Sequence, residues 1–198
     1  DDDYTPPAPG PYDIGTAVTL ATEKFHIISS DDTNIKMISD YALGKDYKQF
    51  TESASDENNW LEEYRVQFSN DDVFYNLGYT SKEDLDMQEI EGPVKEYINN
   101  YESILKSELG VSSIEVDLIG FNDLYSLCGD DSCYKLYDWF TYNQTTFWTK
   151  GLYGVSQSWH NILVLHGEGD LYTLDFEDKA LVRPVVTISK EDFDKLTN

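Results

Sequence analysis

The chain has 198 residues, 40% of them hydrophobic, with 38 acidic and 14 basic side chains and a formal net charge of −24. This length predicts one large domain or two small ones with a sizeable core. The charge argues against nucleic-acid binding, which depends on Lys and Arg contacts to phosphates, and no run approaches the ~18 apolar residues needed for membrane insertion.

Residues 1–13 contain four of the six prolines and show no apolar periodicity, which predicts an extended Pro-rich linker. The chain opens with Asp1-Asp2-Asp3, which is not a signal-peptide sequence. A Pro-rich linker fits a module held away from an anchor. We expect an extracellular protein, tethered to a cell surface by an anchor or signal outside this segment. Residues 14–198 are predicted to form a single α+β domain.

The first predicted elements are short β-branched runs at 17–20, 25–29 and 34–39, which indicate an antiparallel meander. His26 lies within the second run and is expected to be structural. Residues 40–92 are interpreted as an insertion-like region of short helices and long loops. In that region Trp60, Leu61, Tyr64 and Phe68 share one helical face, and residues 81–84 resemble a capping box before Leu85.

The clearest helix runs from Gly92-Pro93 to Gly110, with apolar residues on one stripe, a proline for its first turn and a glycine for its end. A strand over 114–119 follows. Gly120 then opens a short helix that ends at Cys128. Cys128 and Cys133 are the only cysteines, and in an extracellular setting they favour an intrachain disulfide; the alternative is two reduced, half-buried thiols.

Nine aromatics follow within 26 residues, without regular helical or strand spacing: Tyr134, Tyr137, Trp139, Phe140, Tyr142, Phe147, Trp148, Tyr153 and Trp159. Irregular spacing predicts loops, and loop aromatics are typical of binding surfaces and equally of small-domain cores. We expect Phe140, Phe147 and Trp139 inside. The candidate ligand-binding residues on loops 142–160 are Tyr142, Trp148, Tyr153, Trp159 and His160.

The C-terminal third is predicted to be β. The runs 159–165 and 171–176 flank a His166-to-Asp170 hairpin turn, and 181–188 is the last strand. Arg183 lies inside that apolar strand, which predicts a structural ion pair because a buried guanidinium needs a carboxylate or several carbonyls. Strands, then helices, then strands indicate an α+β fold with a mainly antiparallel sheet.

Motifs for catalysis and for metal binding are weak. Ser156 and Ser158 near His160 lie in no nucleophile-elbow sequence. No acidic loop opens a twelve-residue calcium-binding motif, and no glycine-rich phosphate loop is present. The expectation is a non-enzymatic protein with no cofactor and no metal.

Four groups of residues occur in an order that resembles a known family: 92–101, Leu118-Ile119 before the helix with Leu124 and Leu127, the stretch with Phe147-Trp148-Thr149, and Val182-Arg183-Pro184-Val185. Together they resemble uncharacterised surface proteins of Gram-positive gut bacteria. The C-terminal module of those proteins is similar to the formylglycine-generating-enzyme branch of the C-type lectin-like fold.

The resemblance implies a small twisted sheet flanked by two helices, with long loops between the late strands forming a variable binding face. Cysteines late in the chain and calcium-lectin signatures are missing, so neither chemistry is implied here. The leading hypothesis is a non-catalytic, monomeric binding module for a glycan or protein ligand. The alternative is a pilin-like or fibre-forming subunit that uses the same aromatics as an interface.

Overall fold

A computed structural model describes residues 10–50, 63–68, 85–86, 90, 92–129, 137–140, 146–156, 159–165, 171–175 and 178–198. Within these ranges the chain forms three helices and three antiparallel sheets of five, four and two strands. The predicted α+β class with antiparallel pairing is therefore confirmed. Among the helices described, none is both long and apolar enough to cross a membrane.

The five-stranded sheet begins with the predicted meander, which is confirmed. Strands β1 (Ala17–Leu20), β2 (Glu23–Ser30) and β3 (Asn34–Ser39) pair in sequence order. The late strand β11 (Pro184–Ser189) then pairs with β3 on one side and with β6 (Glu115–Leu118) on the other. Strands from the early and late parts of the chain thus pair in one sheet, whose two edges are β1 and β6.

Helix α1 (Pro93–Leu109) covers one face of this sheet. Pro93 lies in its first turn, and Gly110 ends it in the left-handed conformation with φ 68°, as the sequence predicts. Its buried stripe is Val94, Ile98, Tyr101 and Leu105, which pack with Ile35, Met37, Val116, Val186 and Ile188 of the sheet. Burying such apolar area is the main driving force for this packing.

Helix α2 (Phe121–Cys128) packs in a second core that also contains residues from the opposite face of the same sheet. That core is formed by Ile28, Ile38, Ala42, Ile119, Leu124, Leu127, Cys128, Phe140, Phe147, Leu181 and Val185. Side chains alternate across a strand, so Ile38 and Val185 join this core while Met37 and Val186 join the first. Helices α1 and α2 therefore lie on opposite faces of this sheet, and the described residues contain one further helix and two further sheets.

The predicted loops 142–160 are wrong over most of their described length. Phe147–Ser156 forms strand β7 and Trp159–Leu165 forms strand β8, and they pair with β5 (Leu85–Asp86) and β9 (Leu171–Asp175) in the order β5-β7-β8-β9. Register shifts interrupt the β7–β8 pairing after Trp148 and after Tyr153. Such bulges break the two-residue alternation, which accounts for the irregular spacing of the aromatics within β7.

The described residues of region 40–92 contribute side chains to both cores. Its residues Ala42, Leu43, Val66, Phe68 and Ile90 are buried in the two cores. The predicted helical face is wrong at its end, because Val66–Gln67 is strand β4, which pairs with β10 (Lys179–Ala180). Leu85 begins strand β5 rather than a helix, and Trp60, Leu61 and residues 81–84 lie outside the described residues.

The last residues of the predicted linker belong to the folded unit. The ring of Tyr12 contacts Phe193 at 6.0 Å, and its hydroxyl donates to Asp194 at 2.5 Å. Both partners lie on α3 (Lys190–Thr197), whose N-cap Ser189 accepts from the Asp192 N–H. The folded unit therefore includes Tyr12, because this half-buried side chain packs against α3 and donates a hydrogen bond to it.

Candidate functional site

Trp148 does not belong to an exposed aromatic platform. Its side chain is 0% exposed, its indole N–H donates to the Val66 carbonyl at 2.7 Å, and its ring meets Phe68 edge-on at 5.1 Å. The prediction of a ligand-binding role is corrected here, because the indole N–H already has a buried acceptor and the ring already has an aromatic partner. Trp148 holds the beginning of β7 against the first core.

Phe147 and Phe140 are buried, as predicted, and they enclose Arg183. The guanidinium donates to the Ser39 carbonyl at 2.7 Å and the Phe140 carbonyl at 2.8 Å, and it lies 5.4 Å and 5.2 Å from the Phe140 and Phe147 ring centres. Carbonyl oxygens and aromatic faces thus hold this fully buried cation. The predicted partner carboxylate stays a prediction.

Trp139 is only half-buried, and it forms a flat stack with His26. The ring centres are 4.7 Å apart with an angle of 3° between the planes. His26 Nδ1 also lies 2.6 Å from Asp40 Oδ1. These contacts support the structural role predicted for His26, since ring stacking and a carboxylate partner fix its orientation.

Three of the other predicted contact residues, Tyr153, Trp159 and His160, lie on the β7–β8 hairpin. Tyr153 pairs with Asn161, and Trp159 pairs with Ser156 close to the hairpin tip. His160 follows Trp159 on β8, and Tyr142 lies outside the described residues. The backbone therefore brings Tyr153, Trp159 and His160 into one hairpin, while their contact with a ligand stays a prediction.

Cys128 closes helix α2. Its side chain is buried in the second core beside Leu124 and Leu127. Cys133, the predicted partner, lies outside the described residues, so the Cys128–Cys133 pairing stays a prediction.

A charged cluster surrounds the first turn of α2, where the two larger sheets approach each other. Lys36 Nζ lies 2.7 Å from Asp123 Oδ1, and Lys150 Nζ lies 2.7 Å from Asp117 Oδ2. Each pair joins different elements: β3 with α2, and β7 with β6. Burial lowers the pKa of Lys150, but the nearby Asp117, Asp123 and Asp86 carboxylates outweigh it and raise that pKa overall. The ammonium is therefore charged at neutral pH.

Asp86 binds the N-terminus of α2 from the neighbouring sheet. Its carboxylate accepts from the Phe121 N–H at 2.5 Å and the Asn122 N–H at 3.2 Å, which are donors that a helix start leaves open. Asp123 accepts from the Gly120 N–H at 2.9 Å. A Cβ on Gly120 would lie 2.5 Å from Asp86 Oδ2 and 2.8 Å from Lys150 Cε, so a larger residue here would force the Asp86 and Lys150 side chains to move.

A cleft of about 250 Å³ lies beside this cluster. Its floor and walls come from β3, β6, β11, α2 and β7, and we call it the charged cleft. The lining residues are Lys36, Glu115, Val116, Asp117, Leu118, Asp123, Lys150, Val185 and Thr187. The sequence alone does not predict this cleft, because Lys36 and Thr187 are far apart in the chain and become neighbours only through the β3–β11 register.

A separate polar network lies in the first core around Glu23, which is only 3% exposed. Its Oε2 accepts from the Tyr101 hydroxyl at 2.9 Å and from the Gln49 N–H at 3.1 Å. Burial raises the pKa of Glu23, and these two hydrogen bonds oppose that effect. The network ties the segment 40–50 to α1 and β2, and it is enclosed, so we assign it a structural role.

In the part of the chain that the structure describes, no three His, Cys, Asp or Glu side chains form a group able to hold a metal ion. No family model, curated protein or solved structure matches the chain. The resemblance to surface proteins with a C-type lectin-like module thus stays an expectation.

Proposed function

We propose that this chain is a non-catalytic, extracellular binding module that recognises a glycan or protein ligand through the β7–β8 hairpin. The supporting observation is the burial of Phe147 and Trp148, which are 1% and 0% exposed at the beginning of β7. A hairpin fixed in this way can present aromatic residues with little loss of conformational entropy on binding.

The proposed contact residues are those brought together by the hairpin register. Tyr153 and Trp159 lie on facing strands near the tip, and His160 is adjacent. Tyrosine and tryptophan are enriched at binding hot spots because each combines a large apolar area with a polar atom. Trp148 is removed from the proposed contact set, since its side chain is buried.

The test is a glycan array probed with labelled wild-type protein and with the double variant Tyr153→Ala/Trp159→Ala. We expect the double variant to lose the array signal while its far-UV circular dichroism matches that of the wild type. Trp148→Phe is the matched control, and it should retain binding after correction for its folded fraction. A double variant that binds the same glycans as the wild type would remove the hairpin from the contact surface.

The alternative is a fibre-forming surface subunit. Strand addition at the β6 edge has little support, because the Val116 and Leu118 N–H groups on that edge donate to the Glu102 and Asp117 carboxylates at 3.0 Å and 2.8 Å. Because these edge N–H groups already donate to carboxylates, they are not available to pair with a strand of another chain. Light scattering over increasing concentration separates the two functions, since a binding module of this kind stays monomeric and a fibre subunit grows.

A further inference from the structure

The charged cleft contains more hydrogen-bonding capacity than its ion pairs use. Within the described residues, the ammonium groups of Lys36 and Lys150 each donate to one carboxylate, although an ammonium has three N–H donors. The Thr187 hydroxyl in the lining adds one donor and two acceptor positions. The cleft is therefore able to hydrogen-bond a ligand while both ion pairs remain intact.

The charges of the lining decide the class of ligand. The lining contains two ammonium groups and the carboxylates of Glu115, Asp117 and Asp123. Lys36 is paired with Asp123, and Lys150 with Asp117. A phosphate or sulfate would be repelled by those three carboxylates, and a metal ion would compete with the ammonium groups for Asp117 and Asp123. A neutral ligand that both donates and accepts hydrogen bonds meets neither obstacle. Sugar hydroxyls do both, and their bonds here would be charge-assisted.

The size and rigidity of the cleft suit a small ligand. Its volume of about 250 Å³ lies just below the ~300–1,000 Å³ usual for sites of drug-sized ligands. Paired strands β6 and β11 support it, and the Gly120 N–H fixes Asp123, so the polar groups are positioned before a ligand arrives.

We infer that the charged cleft is a binding site for one neutral sugar ring, with Lys36, Lys150 and Thr187 as its hydrogen-bonding residues. This inference shares the glycan class with the proposed function, but it concerns a different surface. Lys150 belongs to β7, so the cleft adjoins the beginning of the hairpin rather than its tip.

The test is saturation-transfer NMR and titration with glucose, galactose, mannose and N-acetylglucosamine. We expect at least one sugar to bind the wild type, and we expect Lys150→Met and Thr187→Val each to weaken that binding at least tenfold. Lys195→Met is the matched control. It removes a lysine whose carboxylate partners, Glu191 and Asp192, are both on α3, and it should bind as the wild type does.

Three results would overturn the inference: no saturation transfer from any of the four sugars, unchanged affinity in Lys150→Met and Thr187→Val, or tighter binding of inorganic phosphate or glucosamine than of the neutral sugars. If Lys150→Met does not fold, Thr187→Val and Lys36→Met provide the same test, because each removes one hydrogen-bonding group from the cleft. Sugar titrations that respond to Thr187→Val but not to Tyr153→Ala/Trp159→Ala would support the cleft even if the hairpin proposal failed.

Discussion

Replacing Trp148 separates a structural role from a binding role. In Trp148→Phe the ring is still aromatic, but the hydrogen bond to the Val66 carbonyl, 2.7 Å long in the wild type, is lost. A buried acceptor left without its donor costs ~1–3 kcal/mol. In Trp148→Ala the whole 0%-exposed side chain is removed, and large-to-small changes of aromatic core residues cost ~3–5 kcal/mol.

These losses are large beside the ~5–15 kcal/mol total stability of a typical domain. Equilibrium urea unfolding, followed by far-UV circular dichroism, measures them without depending on tryptophan fluorescence. Trp139→Phe is the comparison, because Trp139 is half-buried and stacks on His26, and we expect it to cost less than Trp148→Phe. If Trp148→Ala cost less than ~1 kcal/mol, the indole would not be in the core, and the reasoning that removes it from the binding surface would be refuted.

Three further predictions concern buried polar groups and one close packing contact. Because burial raises the pKa of Glu23 above its ordinary 4.5, its stabilising contribution is full below pH 4.5 and lost as pH rises through the folded-state pKa. Urea unfolding from pH 4 to 7 should therefore show the wild type losing stability relative to Glu23→Gln, and a constant difference would contradict this. Gly120→Ala should cost ~1–3 kcal/mol by steric conflict with Asp86 and Lys150, and less in an Asp86→Ala background; equal costs in both backgrounds would show that Asp86 is not the obstacle. Arg183→Lys should destabilise by ~2 kcal/mol or more in thermal unfolding, because one ammonium cannot reproduce two directed bonds between two phenylalanine rings; a change below ~0.5 kcal/mol would argue against that role.

Much of the fold could be predicted from local pattern. The meander at 17–39, helix α1 with its proline start and glycine end, helix α2 ending at Cys128, and the β8–β9 pairing all follow from short-range periodicity and turn residues. Strand β7 was missed because its register shifts conceal the alternation that identifies strands. Two-residue strands such as β4 and β5 are too short to show any period, so the sequence of residues 40–92 does not predict them.

The binding site was harder to predict from the sequence than the fold. Spacing could not show that Trp148 is buried, since burial depends on which partner lies opposite. Trp148 is in the core because the distant Val66 and Phe68 meet it. The charged cleft likewise depends on residues from five elements, far apart in sequence.

The sequence by itself determined the acidic surface charge, the α+β class and the elements whose apolar residues repeat at helical or strand spacing, because these properties are local and additive. Only the tertiary structure decided which aromatics are buried, how Arg183 is held by carbonyls and rings, and where Lys36, Lys150 and Thr187 meet. The physical reason is that a single strand gives no information about the chain that will lie beside it. Long-range packing selects, from many chemically similar side chains, those that become core and those that line a cleft.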